Sequence, residues 1–374
     1  MAVSSCFFAG GGTGGHIYPA VAVAEQIARF SPDVSVHFFC SDRSIDSQIL
    51  NNRAFNYTTL PAITFSWQIP KAVKFFRALY KSYKAAMQTL RRSRSAVVVG
   101  IGGFASVGPV LAARRLGIPI CLLNVDIIPG KANRILARFA EVIFVQFEET
   151  INCFTRTNAK IWLTGCPVRN EFYDEPVSSI RRELDLDDNR KILLVMGGSS
   201  GARRINEAVC GLLDKIARFA DSWQIVHLTG SGDFENVRKS YENTGVKHRI
   251  LDYCEQIAGL LRQADLLIGR SGAVSIAEYA IAGVPSICIP YPHHKDRHQY
   301  LNAEKLVEAG AAVVVDDLDD VEERKEWLWE ELEDLLSDDV KRQAMHQGCG
   351  EIRKPNAAAE IATRLIDISS RNLR

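Results

Sequence analysis

The chain has 374 residues, 47% hydrophobic and 24% charged, with a formal net charge of +1, ordinary for a soluble protein of two domains that each bury a full core. Nine scattered cysteines, an odd number with no C-x-x-C pair, argue against a disulfide framework or a zinc site and predict a reducing, cytoplasmic compartment. No apolar run approaches the roughly 18 residues needed to span a bilayer, and residues 1–9 lack the basic start of a signal peptide.

The small net charge hides a segregation. Between Asp46 and Asp126 there is no acidic residue, whereas Arg53, Lys71, Lys74, Arg77, Lys81, Lys84, Arg91, Arg92, Arg94, Arg114 and Arg115 all fall there. Residues 316–339, by contrast, are dominated by Asp and Glu, with Arg324 and Lys325 in opposition. This asymmetry predicts an anionic surface as partner for the N-terminal half.

In chain order, residues 3–9 read as a first strand, followed by Gly10-Gly-Gly-Thr-Gly-Gly-His16 and a helix over 19–30 with Pro19 in its first turn and Val21, Ala24, Ile27 and Ala28 on one apolar face. Gly10, Gly12 and Gly15 satisfy G-x-G-x-x-G formally, but a match among five glycines is weak, and the acidic residue after the next strand, 34–40, falls late at Asp42. The glycines let a phosphate or sugar approach the backbone. His16 is the first ionisable side chain that such a ligand meets; a histidine at a helix start also serves as a cap or packing residue, and both roles stand at this point.

Trp67 and Ile69 precede a helix in which Val73, Phe76, Tyr80, Tyr83, Met87 and Leu90 form one face, and Lys74, Arg77, Lys81 and Lys84 a separate basic stripe. Such a stripe is usually the solvated face of a core helix. The acid-free surroundings favour peripheral contact with anionic lipid instead, and no nucleic-acid-binding motif accompanies the basic residues.

Residues 96–100 read as a buried strand running into Gly102-Gly-Phe-Ala-Ser106 and a helix over 108–116. Short strands at 118–123, 142–146 and 160–164 then alternate with helices, the rhythm of a parallel sheet covered on both faces. A second cycle opens after Gly165-Cys-Pro-Val-Arg169, with strands at 192–196, 223–228 and 248–253 and a glycine loop, Gly197-Gly-Ser-Ser-Gly-Ala202. The buried strand 265–268 feeds into Arg270-Ser-Gly-Ala-Val-Ser-Ile-Ala-Glu278, where a helix starts at Ser271-Gly272 and stops at Gly283. A strand leading straight into a helix N-terminus aims unpaired N–H groups and partial positive charge at an anion. On that helix Glu278 offers a carboxylate to a polyol such as ribose, and Gln299 and Asn302 are placed to close the pocket. The reading is α/β: two doubly wound halves with ligands outside the carboxyl ends of the strands and a cleft between them.

The two glycine loops, with Gly102-Gly-Phe-Ala-Ser-Val-Gly-Pro109, Gly165-Cys-Pro-Val-Arg169, Arg270-Ser-Gly-Ala-Val-Ser-Ile-Ala-Glu278 and His294-Lys-Asp-Arg-His-Gln299, occur in the order found in the MurG family of peptidoglycan N-acetylglucosaminyltransferases, which the chain resembles over nearly its full length. The resemblance implies a GT-B glycosyltransferase of the family 28 type, with two Rossmann-like domains facing a central cleft. Its acceptor and membrane domain would span 1–165, its UDP-sugar domain 166–350, and a closing helix over 351–374 would pack back on the first. The implied reaction is inverting and needs no metal or cofactor: N-acetylglucosamine passes from UDP to the 4-hydroxyl of the muramyl sugar of lipid I at the inner leaflet of the cell membrane. Carried over by position, Thr13, Gly14, Gly15, Arg169, Ser199, Cys254, Ala273, Val274, Ser275, Ile276, Ala277, Glu278 and Gln299 contact UDP-N-acetylglucosamine, and Gly102, Gly103 and Phe104 belong to acceptor handling together with the basic Lys74, Arg77, Lys81 and Lys84. Cys254 stands where the family usually has an aliphatic residue. His16 is the candidate general base, because an ordinary imidazole takes up a proton near neutrality.

Two departures stand out. The family's His-Glu-Gln-Asn is here Leu123-Asn-Val-Asp126, and His298 replaces the first of two glutamines. Asp126 either assists His16, and so joins the catalytic set, or marks a different membrane-bound acceptor. Two further classes are an NAD-dependent oxidoreductase, which requires a true dinucleotide site at the Gly10 loop, and a silent relative that binds UDP-sugar without turnover.

Overall fold

The computed structural model describes residues 4–12, 14–63, 68–93, 95–173, 179–198 and 201–371; Thr13, Trp67, Arg94 and Ser199, named above, lie outside them. The chain divides into two compact units, one of Met1–Asn170 with Lys354–Arg374 and one of Glu171–Arg353.

The first unit holds a seven-stranded parallel sheet built from β1 (Ser4–Gly10), β2 (Ser35–Ser41), β3 (Asn56–Leu60), β4 (Ser95–Gly102), β5 (Ile120–Asn124), β6 (Val142–Val145) and β7 (Lys160–Leu163), in the order β3-β2-β1-β4-β5-β6-β7. The second holds a six-stranded parallel sheet of β8 (Lys191–Met196), β9 (Trp223–Leu228), β10 (His248–Leu251), β11 (Leu266–Gly269), β12 (Ser286–Cys288) and β13 (Ala312–Val314), in the order β10-β9-β8-β11-β12-β13. Strands buried on both faces read as unbroken apolar runs, which is why β4, β5 and β8 were legible without any alternation. In each sheet the order reverses beside the first strand, between β1 and β4 and between β8 and β11, and a crevice opens there at the carboxyl ends. Both motifs of each half meet at that point: Gly10 pairs with Gly102, and Met196 with Gly269.

Around the first sheet run α1 (Gly14–Phe30), α2 (Ser44–Asn52), α3 (Ile69–Leu90) and α4 (Val107–Leu116). α1 begins at Gly14, so Pro19 lies inside the helix rather than in its first turn and the glycine loop itself forms that turn. The basic α3 departs from its expected face more instructively. Ala86, Met87 and Leu90 at its C-terminal end are buried, but Val73, Phe76 and Tyr80 are 52%, 60% and 65% exposed. The half of the helix nearer Ile69 therefore offers its apolar stripe to solvent beside the exposed Lys74, Arg77, Lys81 and Lys84.

The boundary between units falls after Asn170, later than the expected one, and the chain crosses it twice. Contacts with α1 hold the 165–170 segment to the first unit: Arg169 lies 4.2 Å over the Tyr18 ring, and Gln26 donates to Asn170 Oδ1 at 2.6 Å. The closing helix, Ala357–Arg371, packs on α1, β1 and β4.

Candidate active site

In the first unit the two glycine stretches of the sequence are one structure. Gly11 N–H donates to Gly102 O at 3.4 Å, and a Cβ on Gly103, at φ 74°, would sit 2.6 Å from Gly11 O. His16, in the first turn of α1, lies against this pair: a Cβ on Gly102 would come within 2.8 Å of its Cδ2 and 2.9 Å of its Nε2. Glycine at 102, with φ 100°, is thus what leaves room for the ring. Phe104 follows and meets Phe75 of α3 edge-on at 5.9 Å, while α4 approaches α3 so closely that a Cβ on Gly108 would be 2.7 Å from Ser82 Cβ. The exposed apolar and basic helix is therefore built onto the Gly102–Phe104 turn.

His16 is half-buried, and burial pushes its imidazole below the ordinary histidine value, against an upward pull from the carboxylates of Asp126 and Asp46. From sequence an ordinary imidazole is expected; in the fold, burial favours its neutral form and the two carboxylates oppose that shift. Asp126 stands in a braced turn. Asn124 Nδ2 donates to Asp126 O at 2.7 Å, Asn133 Nδ2 to Asn124 Oδ1 at 3.0 Å, and Thr150 Oγ1 to Ile127 O at 2.9 Å, with Val125 and Ile127 buried. The Leu123–Asp126 departure is thus a formed element of the fold. Asp46 was not singled out from the sequence; its only signal was its place as the last carboxylate before the acid-free stretch.

In the second unit Ala273–Ala282 forms the expected helix, with Gly272 at its N-cap and Gly283 closing it in a left-handed turn at φ 74°. Gly272 makes no side-chain cap, and the first turn carries the partial positive charge of a helix N-terminus. Ala273, Val274, Ile276 and Glu278 are buried, and Ser275 and Ala277 are half-buried. The turn before the helix is held from three sides. Tyr279 Oη donates to Arg270 O at 2.8 Å, Ser271 Oγ to Gln299 O at 2.8 Å, and Asn302 Nδ2 to Ser271 O at 3.3 Å. Asn302 is therefore a staple inside the protein rather than a pocket lid, and Gln299 Oε1 is taken up by Tyr291 N–H at 2.9 Å, which leaves the amide nitrogen to serve as the group's donor.

Behind the turn Arg270 reaches a fully buried carboxylate, Asp317, at 2.8 Å, which also lies 2.6 Å from Arg204 and 3.3 Å from Arg324. Asp317 belongs to the acidic run of residues 316–339, yet it is buried and ties down Arg270 at the start of this turn. Cys254 is half-buried, and burial pushes its thiol up, so it offers a neutral, largely apolar surface in keeping with the aliphatic residue usual there. Arg169 is carried by the first unit, not by the second.

Two doubly wound parallel sheets, each with glycine turns at its switch point, have the architecture of the GT-B class of glycosyltransferases. Residues 6–145 match the glycosyltransferase family 28 N-terminal domain, and residues 192–365 its C-terminal domain. UDP-N-acetylglucosamine--N-acetylmuramyl-(pentapeptide) pyrophosphoryl-undecaprenol N-acetylglucosamine transferases are similar over almost the whole chain: that of Myxococcus xanthus is 32% identical over 96% of this chain and 92% of its own, and that of Desulforudis audaxviator 34% over 98% and 99%. The chain belongs to glycosyltransferase family 28 and, within it, to the MurG family. Among solved structures, MurG of Acinetobacter baumannii superimposes with a TM-score of 0.71 at 24% identity, covering 97% of this chain and 99% of that one. The UDP-GlcNAc 2-epimerase of Neisseria meningitidis does so at 0.66 and 15%, covering 97% and 100%, a likeness of fold alone.

Proposed function

We propose that this chain transfers N-acetylglucosamine from UDP to the 4-hydroxyl of the N-acetylmuramyl sugar on undecaprenyl pyrophosphate, the lipid I acceptor. As the acceptor oxygen bonds to the anomeric carbon, its proton passes to His16. The bond from that carbon to the β-phosphate oxygen breaks, and UDP leaves with the electron pair. Attack from the face opposite the leaving group inverts the anomeric centre. The N-terminus of the Ala273–Ala282 helix receives the diphosphate charge, Glu278 accepts from the ribose, and the Gln299 amide reaches the sugar. Asp126 faces the developing imidazolium and does the work that other members of the family assign to different residues in that turn. The observation that carries this reading is His16 packed against the Gly102 turn, with Asp126 and Asp46 acting on its charge.

The stripe of Val73, Phe76 and Tyr80 flanked by four cations supports docking on an anionic membrane surface, where a lipid-linked acceptor resides. Among the described residues no helix is long and apolar enough to cross a membrane, so attachment of this kind is peripheral.

A second reading is favoured by one observation, the braced turn that puts a carboxylate at Asp126 beside an anionic acceptor: the acceptor is a different membrane glycolipid. Incubating the protein with labelled UDP-N-acetylglucosamine and either lipid I or a total membrane lipid extract separates the two. Label entering lipid I, with Asp126→Asn keeping UDP binding but losing rate, supports the first; label entering another lipid while lipid I stays untouched overturns it.

A further inference from the structure

Asp46 is fully buried in the first turn of α2, where a carboxylate is costly unless its charge is used. Its two oxygens are treated very differently. Oδ2 accepts from Gly12 N–H at 2.8 Å, Ser41 N–H at 3.1 Å and Ser41 Oγ at 2.7 Å. Oδ1, equally enclosed, has no hydrogen-bond partner among the described residues. The Gly10 loop is moulded onto this group: a Cβ on Gly11 would lie 2.2 Å from Oδ2. Arg43, on the same segment, donates to Gly12 O at 2.7 Å and so braces the loop from outside.

We propose that Asp46 is a positioning residue for the transfer reaction, with one oxygen fixing the Gly11–Gly12 turn beside His16 while its buried charge stabilises the imidazolium formed when His16 takes the acceptor proton. The inference rests on His16 being the base. Among the described residues, the carboxylates that act on the imidazole include Asp126, half-buried on the turn after β5, and Asp46, sealed beneath the loop. Asp126 can be screened by solvent and by the incoming acceptor. Asp46 cannot, so it supplies a constant field through binding, proton transfer and release.

Because a single oxygen takes every hydrogen bond, Asp46→Asn can turn its carbonyl to the same three donors and put its amide where Oδ1 lies, which separates bracing from charge. Without the charge His16 becomes a weaker base. The acid limb of kcat/KM against pH should move down by about one pH unit, as for loss of a nearby opposite charge, and the plateau in kcat should fall about 3–10-fold. The KM for UDP-N-acetylglucosamine should not change. Ser41→Ala provides the opposite perturbation: it withdraws a donor from Oδ2, leaves more charge for the imidazole, and should move the limb up in pH. A purely structural Asp46 would lower the melting temperature and kcat in both variants with the limb unmoved, and that result overturns the proposal. Should Asp46→Asn fail to fold, the sign of the Ser41→Ala shift decides alone. His16→Ala is run alongside. If it turns over normally, the base assignment falls and this inference with it; if it is inactive while both limbs stay fixed, only the role of Asp46 falls.

Discussion

Substituting Gly102 with alanine tests the catalytic geometry without removing any functional group. The new methyl must sit at φ 100° and would come within 2.8 Å of His16 Cδ2 and 2.9 Å of Nε2, closer than carbon atoms approach one another. The backbone strain costs about 1–3 kcal/mol, which in a unit of this size lowers the melting temperature by about 2–10 °C. The ring has to slide or tilt by a few tenths of an ångström, and a 1 Å misplacement of a reacting group costs about 100-fold, so kcat should fall about 10–100-fold. UDP affinity should hold, because the helix proposed to receive the diphosphate and ribose, Ala273–Ala282, belongs to the second unit. Gly117→Ala, at φ 69° with nothing within 4 Å of an added Cβ, is the matched control. Turnover assays, UDP calorimetry and a melting curve for each variant suffice. A Gly102→Ala enzyme with the expected loss of stability but wild-type kcat would refute the placement of His16 at the reacting centre.

Glu278→Ala removes charged hydrogen bonds worth about 1.5–3 kcal/mol, so calorimetry should find UDP bound about 10–150-fold more weakly; unchanged affinity would displace the nucleotide from that helix. Reversing Lys74, Arg77, Lys81 and Lys84 to Glu should abolish sedimentation with anionic vesicles, each cation contributing about 1 kcal/mol, and equal binding of the unmodified protein to neutral vesicles would contradict electrostatic docking. His227 is fully buried between Tyr241 Oη at 3.0 Å and Asn206 Oδ1 at 3.1 Å, and burial pushes it down to about 3 against a weaker opposing pull from Asp233. Because the folded state holds it below the unfolded value of about 6.5, the unfolded chain binds the extra proton between those limits and stability drops as pH falls through them. The loss should be about 2 kcal/mol from pH 6.5 to 5, and urea unfolding of His227→Gln, compared at both pH values, should show a smaller loss.

The sheets and the glycine turns were open to sequence reading because each is locally determined: an unbroken apolar run makes a buried parallel strand, and only glycine makes the turn that follows. β3 carries no such run and was passed over, as were β12 and β13, each only three residues long. What local pattern could not supply was partnership across the fold. Asp46 and Asp317 look like ordinary surface acids in sequence, and only the packing of α2 beneath the Gly10 loop and of the 316–320 segment beneath Arg270 buries them. The half-exposed face of α3 was hidden for the same reason, since helical spacing reveals a stripe but not what covers it. The Pro19 placement failed because the helix starts five residues earlier, at Gly14, in glycines that carry no helix-start signal of their own.

The Ala357–Arg371 helix, which covers α1, β1 and β4, ties Ser369 Oγ to Ser4 Oγ at 2.6 Å and so joins the first strand of the protein to its last helix. On the ribosome this makes assembly order unequal. The second unit is complete in sequence once residue 353 has emerged, whereas the first, though synthesised earlier, keeps an uncovered apolar surface until the final helix is released. Its folding spans the longest sequence separation the chain allows, the kind of closure that is slow and exposed to aggregation. Premature termination past residue 353 would therefore leave the second unit intact and strike the first, which carries His16 and α3.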